Sequence, residues 1–250
     1  MAFVPPFQRP FSPAFDRRTA TGNGLLTNLA AYWPGNEASG NLLDAHSGGR
    51  TFTDVNTVTS AAGLVYATAR QHTAASNERF DRSGDTTLHG GANDWSLGTW
   101  VYFDAVAAQQ TLWQDTGNAG LQSQIMYATY KANRLTFIMF NSAGGNAQAH
   151  SDNFGAIPAT VWLCVVISYT SATGQVSISI NNGTPNTATL AGTPRVSVSS
   201  IVQTLGFSSA RPFGGRMGPT AYWRLRALSA ADRTAWYNGG VGLAYAAFTT

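Results

Sequence analysis

The chain has 250 residues, long enough to bury one sizeable core, and only 11% of them are charged. Its net charge of +3 comes from 15 basic residues, of which Lys131 is the only lysine, against 12 acids. They form no dense basic run, which argues against a nucleic-acid partner, and the lone Cys164 excludes an intrachain disulfide or a cysteine metal site.

Residues 1–24 differ from the rest. Phe3, Phe7, Phe11 and Phe15 recur every four residues among Pro5, Pro6, Pro10 and Pro13. The prolines forbid a helix, so this stretch reads as an extended arm. Four phenylalanines need cover, either on the arm's own domain or on a partner. In the second case Arg9, Arg17 and Arg18 would pair with acids at the rim of the binding groove. No basic segment followed by an apolar core marks a secretory signal, and no apolar run approaches the roughly 20 residues of a membrane span.

Residues 25–250 read as one domain. Strands are expected over Leu25–Trp33, Thr51–Val58, Trp95–Asp104, Gln109–Gln114, Leu121–Tyr130, Arg134–Phe140, Val161–Thr170, Gln175–Ile180 and Val202–Phe207. Polar Gly/Asn turns separate them, with a hairpin signal at Asn182-Gly183. Cys164 sits in an apolar run and reads as packing. In Trp95–Asp104, alternation puts Trp95, Leu97, Thr99, Val101 and Phe103 on a core face and Trp100 and Tyr102 on the other. Those two aromatics either stack on sugar rings or form a second small core under a covering segment.

The last unit runs from Arg211 to Gly240. After Gly214-Gly215 the alternation puts Met217, Pro219, Ala221, Trp223 and Leu225 on one face, and Pro219 implies an edge or a bulge. Ser229 with Asp232 three residues later forms a helix N-cap signature, and Gly239-Gly240 a stop, so a helix is expected over Ala230–Asn238.

These endings carry a resemblance. Arg226-Ala227-Leu228-Ser229 and Tyr237-Asn238-Gly239-Gly240 resemble the closing segment of laminin-G-like, concanavalin A-like jelly rolls. Ala31-Tyr32-Trp33 through Glu37-Ala38-Ser39-Gly40 is similar to that family's opening. DWSLGTWVYF, residues 94–103, is similar to one of its strands, and the likeness extends to residues 162–183. Together they cover residues 25–245. The resemblance implies an all-β, two-sheet antiparallel jelly-roll sandwich with one short helix, and it places His72 where the family usually has a buried phenylalanine.

Enzymes share that fold, and glycoside hydrolysis needs a carboxylate pair. Glu37 and Glu78 are the only glutamates and neither has an acid two residues away, so no catalytic residue is assigned and a degenerate hydrolase ranks third. The aspartates are scattered, Asp81 and Asp85 being the closest pair, so no metal site or cofactor is assigned; calcium is the one ion the resemblance would suggest. Asp44 with His46, and His150 with Asp152, read as loop hydrogen bonds.

Domains resembling this one occur among phage structural proteins. The leading expectation is therefore a non-enzymatic, oligomeric virion component, in head, fibre or tail, anchored to capsid or tail subunits through the arm. The alternative is a lectin-like module that recognises surface glycans.

Overall fold

The computed structural model describes residues 22–46 and 49–250. The strands, in chain order, are β1 (Leu29–Trp33), β2 (Thr53–Val55), β3 (Thr59–Ala62), β4 (Thr68–His72), β5 (Arg79–Ser83), β6 (Trp95–Phe103), β7 (Gln110–Gly117) and β8 (Gly120–Tyr127). There follow β9 (Leu135–Phe140), β10 (Asn146–His150), β11 (Trp162–Thr170), β12 (Gln175–Ile180), β13 (Asn186–Thr189), β14 (Val202–Leu205) and β15 (Gly215–Arg224). The α-helix, α1, is Ala230–Tyr237.

Two antiparallel sheets form a sandwich. One has the order β13-β12-β11-β6-β15-β4-β3, with β1 also paired to β15; the other runs β10-β9-β8-β7-β14-β5-β2. Registers set Leu29, Trp95, Tyr169 and Trp223 at one pole of the first sheet, and Tyr102, Trp162 and Gly215 at the other. Between the sheets lies a core that includes Trp95, Leu97, Val101, Phe103, Trp113, Phe137 and Tyr222. The alternation of β6 is as the sequence implies.

β15 departs from its simple alternation. Met217 pairs with Val101 and Thr220 with Thr99, so β15 holds one more residue than β6 between these pairs. This bulge contains Pro219, whose missing N–H would otherwise leave a gap in the ladder. The strand is central rather than an edge: its other side pairs with β4 before the bulge and with β1 after it. An extra residue reverses the facing of everything beyond it. Met217 and Tyr222 therefore enter the inter-sheet core, whereas Ala221 and Trp223 turn to the outer face of the first sheet. The single face expected for Met217 through Leu225 is corrected accordingly, and Leu225, in left-handed conformation at φ 59°, is exposed.

That outer face carries a second core: Leu25, Tyr32, Trp100, Cys164, Trp223, Trp236 and Phe248 pack together. Helix α1 closes over it. Ser229 Oγ accepts from the Asp232 backbone N–H and Asp232 Oδ2 accepts from the Ser229 N–H at 2.9 Å, completing the capping box. The helix ends at Asn238, which is left-handed (φ 47°). Gly98 lets α1 approach: a Cβ there would lie 3.0 Å from Trp236 Nε1. The two ends of the described chain are tied together, with Asn23 Nδ2 donating to Ala247 O at 2.7 Å and Thr249 N to Asn23 Oδ1 at 2.9 Å.

Among the polar side chains embedded in this scaffold are Arg70 and His72. Arg70, fully buried, lies 3.8 Å from both Glu37 and Asp54 and donates to the carbonyls of Gly40 and Val58. His72 is buried between Phe80 and Phe213, each ring edge-on to it, and its Nδ1 lies 3.2 Å from Glu78 O. Desolvation, opposed by that backbone contact, holds its pKa down at about 4. Between that value and the unfolded value near 6.5, the unfolded chain binds a proton that the folded one does not. The resulting stability is fully present above about pH 6.5 and is lost as pH falls towards 4, by about 3 kcal/mol in all. His72→Phe is expected to flatten that acid limb in urea unfolding measured from pH 7 to 4. An unchanged slope would show that His72 is not its source.

Candidate functional site

Trp100 is only 1% exposed, its ring stacked on Tyr237 at 5.9 Å. Helix α1 and the segment after it cover this face of β6, so Trp100 belongs to the second core and offers no ring to a sugar. Tyr102 is half-buried in a row across three strands, 5.6 Å from Trp162 on one side and 4.5 Å under the Arg216 guanidinium on the other. Of the two readings open for this pair, Trp100 takes the second, a small core under a covering segment, while Tyr102 stays partly exposed in its row. Phe3, Phe7, Arg9, Phe11, Phe15, Arg17 and Arg18 lie outside the described residues, and their anchoring role stands as an expectation from the sequence.

The carboxylates are engaged structurally. Glu37 Oε1 accepts from the Leu43 N–H at 2.7 Å, and Glu78 Oε2 from the Thr73 N–H at 2.7 Å; Glu78 is buried, not a surface group. Asp81 pairs with Arg79 and accepts from Thr204 Oγ1, whereas Asp85 pairs with Arg82 and Arg50. Arginines thus take the two acids that a calcium site would need. Among the described residues no group of three or more His, Cys, Asp or Glu could hold a metal.

A buried contact absent from sequence reasoning links His89 and Asp115. His89 Nε2 accepts from the Ser197 N–H at 2.8 Å, which leaves the ring proton on Nδ1, itself 2.8 Å from Asp115 Oδ2. Gln203 donates to the other carboxylate oxygen at 3.0 Å. Burial pushes the Asp115 carboxyl up, against these hydrogen bonds. Both side chains are sealed from solvent, and the arrangement ties β7 and β14 to the loops beside them.

The site open to a ligand lies elsewhere. Where β10 of one sheet meets β12 and β13 of the other, a cleft of about 280 Å³ opens, with Asn153, Phe154, Asn181 and Asn186 on its walls and Ile178 and Ile180 among its apolar lining. Two turns make it. The β12–β13 connection turns at Ile180–Gly183 with Asn181 and Asn182 both left-handed (φ 51° and 57°), a conformation asparagine tolerates. The segment after β10 is latched to that hairpin: Asn153 N donates to Asn186 Oδ1 at 2.9 Å and Asn153 Nδ2 to Thr184 O at 3.1 Å.

These bonds use half of each amide. Asn186 Nδ2, Asn153 Oδ1 and Asn181 Nδ2 have no hydrogen-bond partner among the described residues, while Asn181 Oδ1 is held by the Cys164 N–H at 2.9 Å. Phe154 beside them is 36% exposed. The cleft therefore offers neutral donors, a neutral acceptor, an apolar back and an aromatic edge, with no acid or base lining it.

No protein-family model matches the chain, and no curated protein matches it in sequence. Similar solved structures are plentiful, however. Domain 4 of AbnA, a GH43 extracellular arabinanase from Geobacillus stearothermophilus in complex with arabinotriose, superposes with a TM-score of 0.63 at 15% identity, over 83% of this chain and 97% of that one. The binding domain of Paraclostridial Mosquitocidal Protein 1 gives 0.66 at 12%, over 82% of this chain and 51% of that one. The binding domain of botulinum neurotoxin serotype D gives 0.63 at 10%, over 88% and 53%. The chain thus spans about half of each toxin binding domain. Identities this low define a shared fold, the jelly-roll sandwich, which is the fold class the sequence implied.

Proposed function

We propose that the protein is a non-catalytic binding module that recognises a neutral carbohydrate through the Asn153–Phe154–Asn186 cleft. The observation that carries this reading is the set of unpaired amide groups beside an exposed aromatic ring over an apolar back. Sugars present hydroxyls that both donate and accept, and C–H faces that pack on rings, so uncharged amides and one aromatic match both features. A fold shared with an arabinanase domain solved with arabinotriose, and with two toxin binding domains, supports the same class of role.

Isothermal titration against neutral oligosaccharides, arabinotriose first and then a neutral glycan set, tests it. Phe154→Ala is expected to weaken binding about tenfold, a loss on the order of 1.4 kcal/mol, and Asn186→Asp, which keeps the oxygen that latches Asn153 N but removes the free donor, by a similar factor. If no neutral glycan binds, or binding is indifferent to both substitutions, the cleft is not a sugar site.

A further inference from the structure

A row of planar side chains crosses four strands on the outer face of the first sheet. Trp162 of β11 stands opposite Tyr102 of β6, Tyr102 opposite Arg216 of β15, and Arg216 opposite Gln71 of β4. With strands about 4.8 Å apart, the row is about 14 Å long. The second core seals Trp100 but leaves all four of these side chains half-buried. Val161, next to Trp162, is 48% exposed.

The row is held in place by its own contacts. Trp162 sits over Gly218 in the bulge of β15, where a Cβ would lie 3.4 Å from its ring. The Arg216 guanidinium stacks on Tyr102 and donates to Gln71 Oε1 at 3.2 Å and to Ala62 O at 3.3 Å. Gln71 Nε2 in turn donates to Asp104 Oδ2 at 2.9 Å. The Trp162 Nε1–H and the Tyr102 hydroxyl have no hydrogen-bond partner among the described residues. Arg216 and Asp104, the two charged groups of this linkage, are opposite in sign. Flat rings and fixed donors without net charge suit carbonyl oxygens and small apolar rings better than an ion.

The chain carries a segment of that chemistry. Pro10 and Pro13 are three residues apart, one turn of a polyproline II helix, so in that form they share a face about 9 Å apart and fit within the row. Such a helix makes no internal hydrogen bonds, and its free carbonyls accept from ring N–H and hydroxyl groups, as when proline-rich segments dock on aromatic grooves. Phe7, Phe11 and Phe15 on either side are the residues that need cover.

Chain length fits as well. Leu25 O accepts from Trp223 Nε1, which fixes the start of the described chain beside Trp223. Trp223 stands opposite Ser96, and Tyr102 lies six residues further along β6, about 20 Å away at 3.3 Å per residue. Pro13, nine residues before Gly22, can reach about 28 Å at 3.1 Å per residue, and Pro10 about 37 Å. The difference allows for the detour around the second core.

We infer that the Pro10–Pro13 stretch docks on the Trp162–Tyr102–Arg216 row of its own chain, with Trp162 Nε1 and the Tyr102 hydroxyl donating to its carbonyls. Of the two covers open to the phenylalanines, this is their own domain. The inference does not depend on the carbohydrate cleft.

Chymotrypsin digestion of the full chain tests it, read by mass spectrometry at Phe7 and Phe11, the two sites that bracket Pro10. A synthetic peptide of residues 1–21 gives the unprotected rate. The peptide is expected to be cut at least about tenfold faster than the chain, with the same ratio after about hundredfold dilution, as for docking within one molecule. Trp162→Leu keeps an apolar group over Gly218 but removes the ring and its N–H, and is expected to bring the ratio near one. Pro10→Ala with Pro13→Ala, compared with a peptide carrying the same changes, is expected to do the same without touching the sandwich. Val198→Ala, at an exposed position, is expected to leave the ratio unchanged. The inference is overturned by an unsubstituted chain cut as fast as the peptide, or by protection that survives either set of substitutions. Protection that falls on dilution also overturns it, by assigning the arm to a neighbouring copy.

Discussion

Trp236→Ala is expected to lower the unfolding free energy by about 3–5 kcal/mol, the range for truncating a fully buried tryptophan. The indole is 0% exposed and meets Trp223 edge-on at 5.6 Å, Phe248 at 5.9 Å and Tyr32 at 6.2 Å. It lies against bare backbone at Gly98, so nothing on β6 can move in to fill the void. Denaturant unfolding at neutral pH reads the loss directly. Val198→Ala, at a position 81% exposed, serves as the control and should change stability by no more than about 0.5 kcal/mol. A loss under about 1 kcal/mol for Trp236→Ala would mean that the outer core is not integral to the fold.

The second large effect falls on Arg70. Burial pulls the pKa of its guanidinium down and the Glu37 and Asp54 charges pull it back up, so the three groups depend on one another. Arg70→Ala is expected to destabilise by about 3–5 kcal/mol, because two half-sequestered carboxylates lose their shared counter-charge. The triple change Arg70→Met, Glu37→Gln, Asp54→Asn should recover a large part of it. Each amide keeps the oxygen that accepts from Leu43 N and Val58 N respectively. If the triple variant is no more stable than Arg70→Ala, neither stranded charge nor lost volume is responsible, which leaves the hydrogen bonds from Arg70 to the carbonyls of Gly40 and Val58.

Much of the scaffold could be read from residue order. The Ser229/Asp232 cap, the alternation of β6 and the cores of β7, β8, β9, β11 and β12 follow local chemistry, and the structure keeps them, whereas β10 was not foreseen. What could not be read required knowledge of the partner strand. One extra residue around Pro219 exchanges the two faces of β15, and no periodicity within that strand announces where the exchange falls. β4 is a poor strand candidate by composition because Arg70 and His72 point inward, into company supplied by distant residues. Whether Trp100 is platform or core stays open until residues 237–248 are laid across it. The cleft was invisible for a related reason: Asn153 and Asn186 are 33 residues apart, one in the turn after β10 and the other at the start of β13 in the opposite sheet, and each alone reads as a turn-forming amide.

The clasp between Asn23 and Thr249 has a mechanical consequence. Entry and exit of the described chain sit side by side at the pole near Leu29 and Trp223, while the amide-lined cleft faces away, beside β12 and the edge strand β13. A domain wired in this way can be spliced into a longer polypeptide, or strung in tandem, as a side-loaded bead: both cables attach on one side and the edge that carries the cleft projects from the other. A pull on both cables would load the Asn23–Thr249 hydrogen bonds before any strand of the sandwich, leaving the cleft undistorted until the clasp opens.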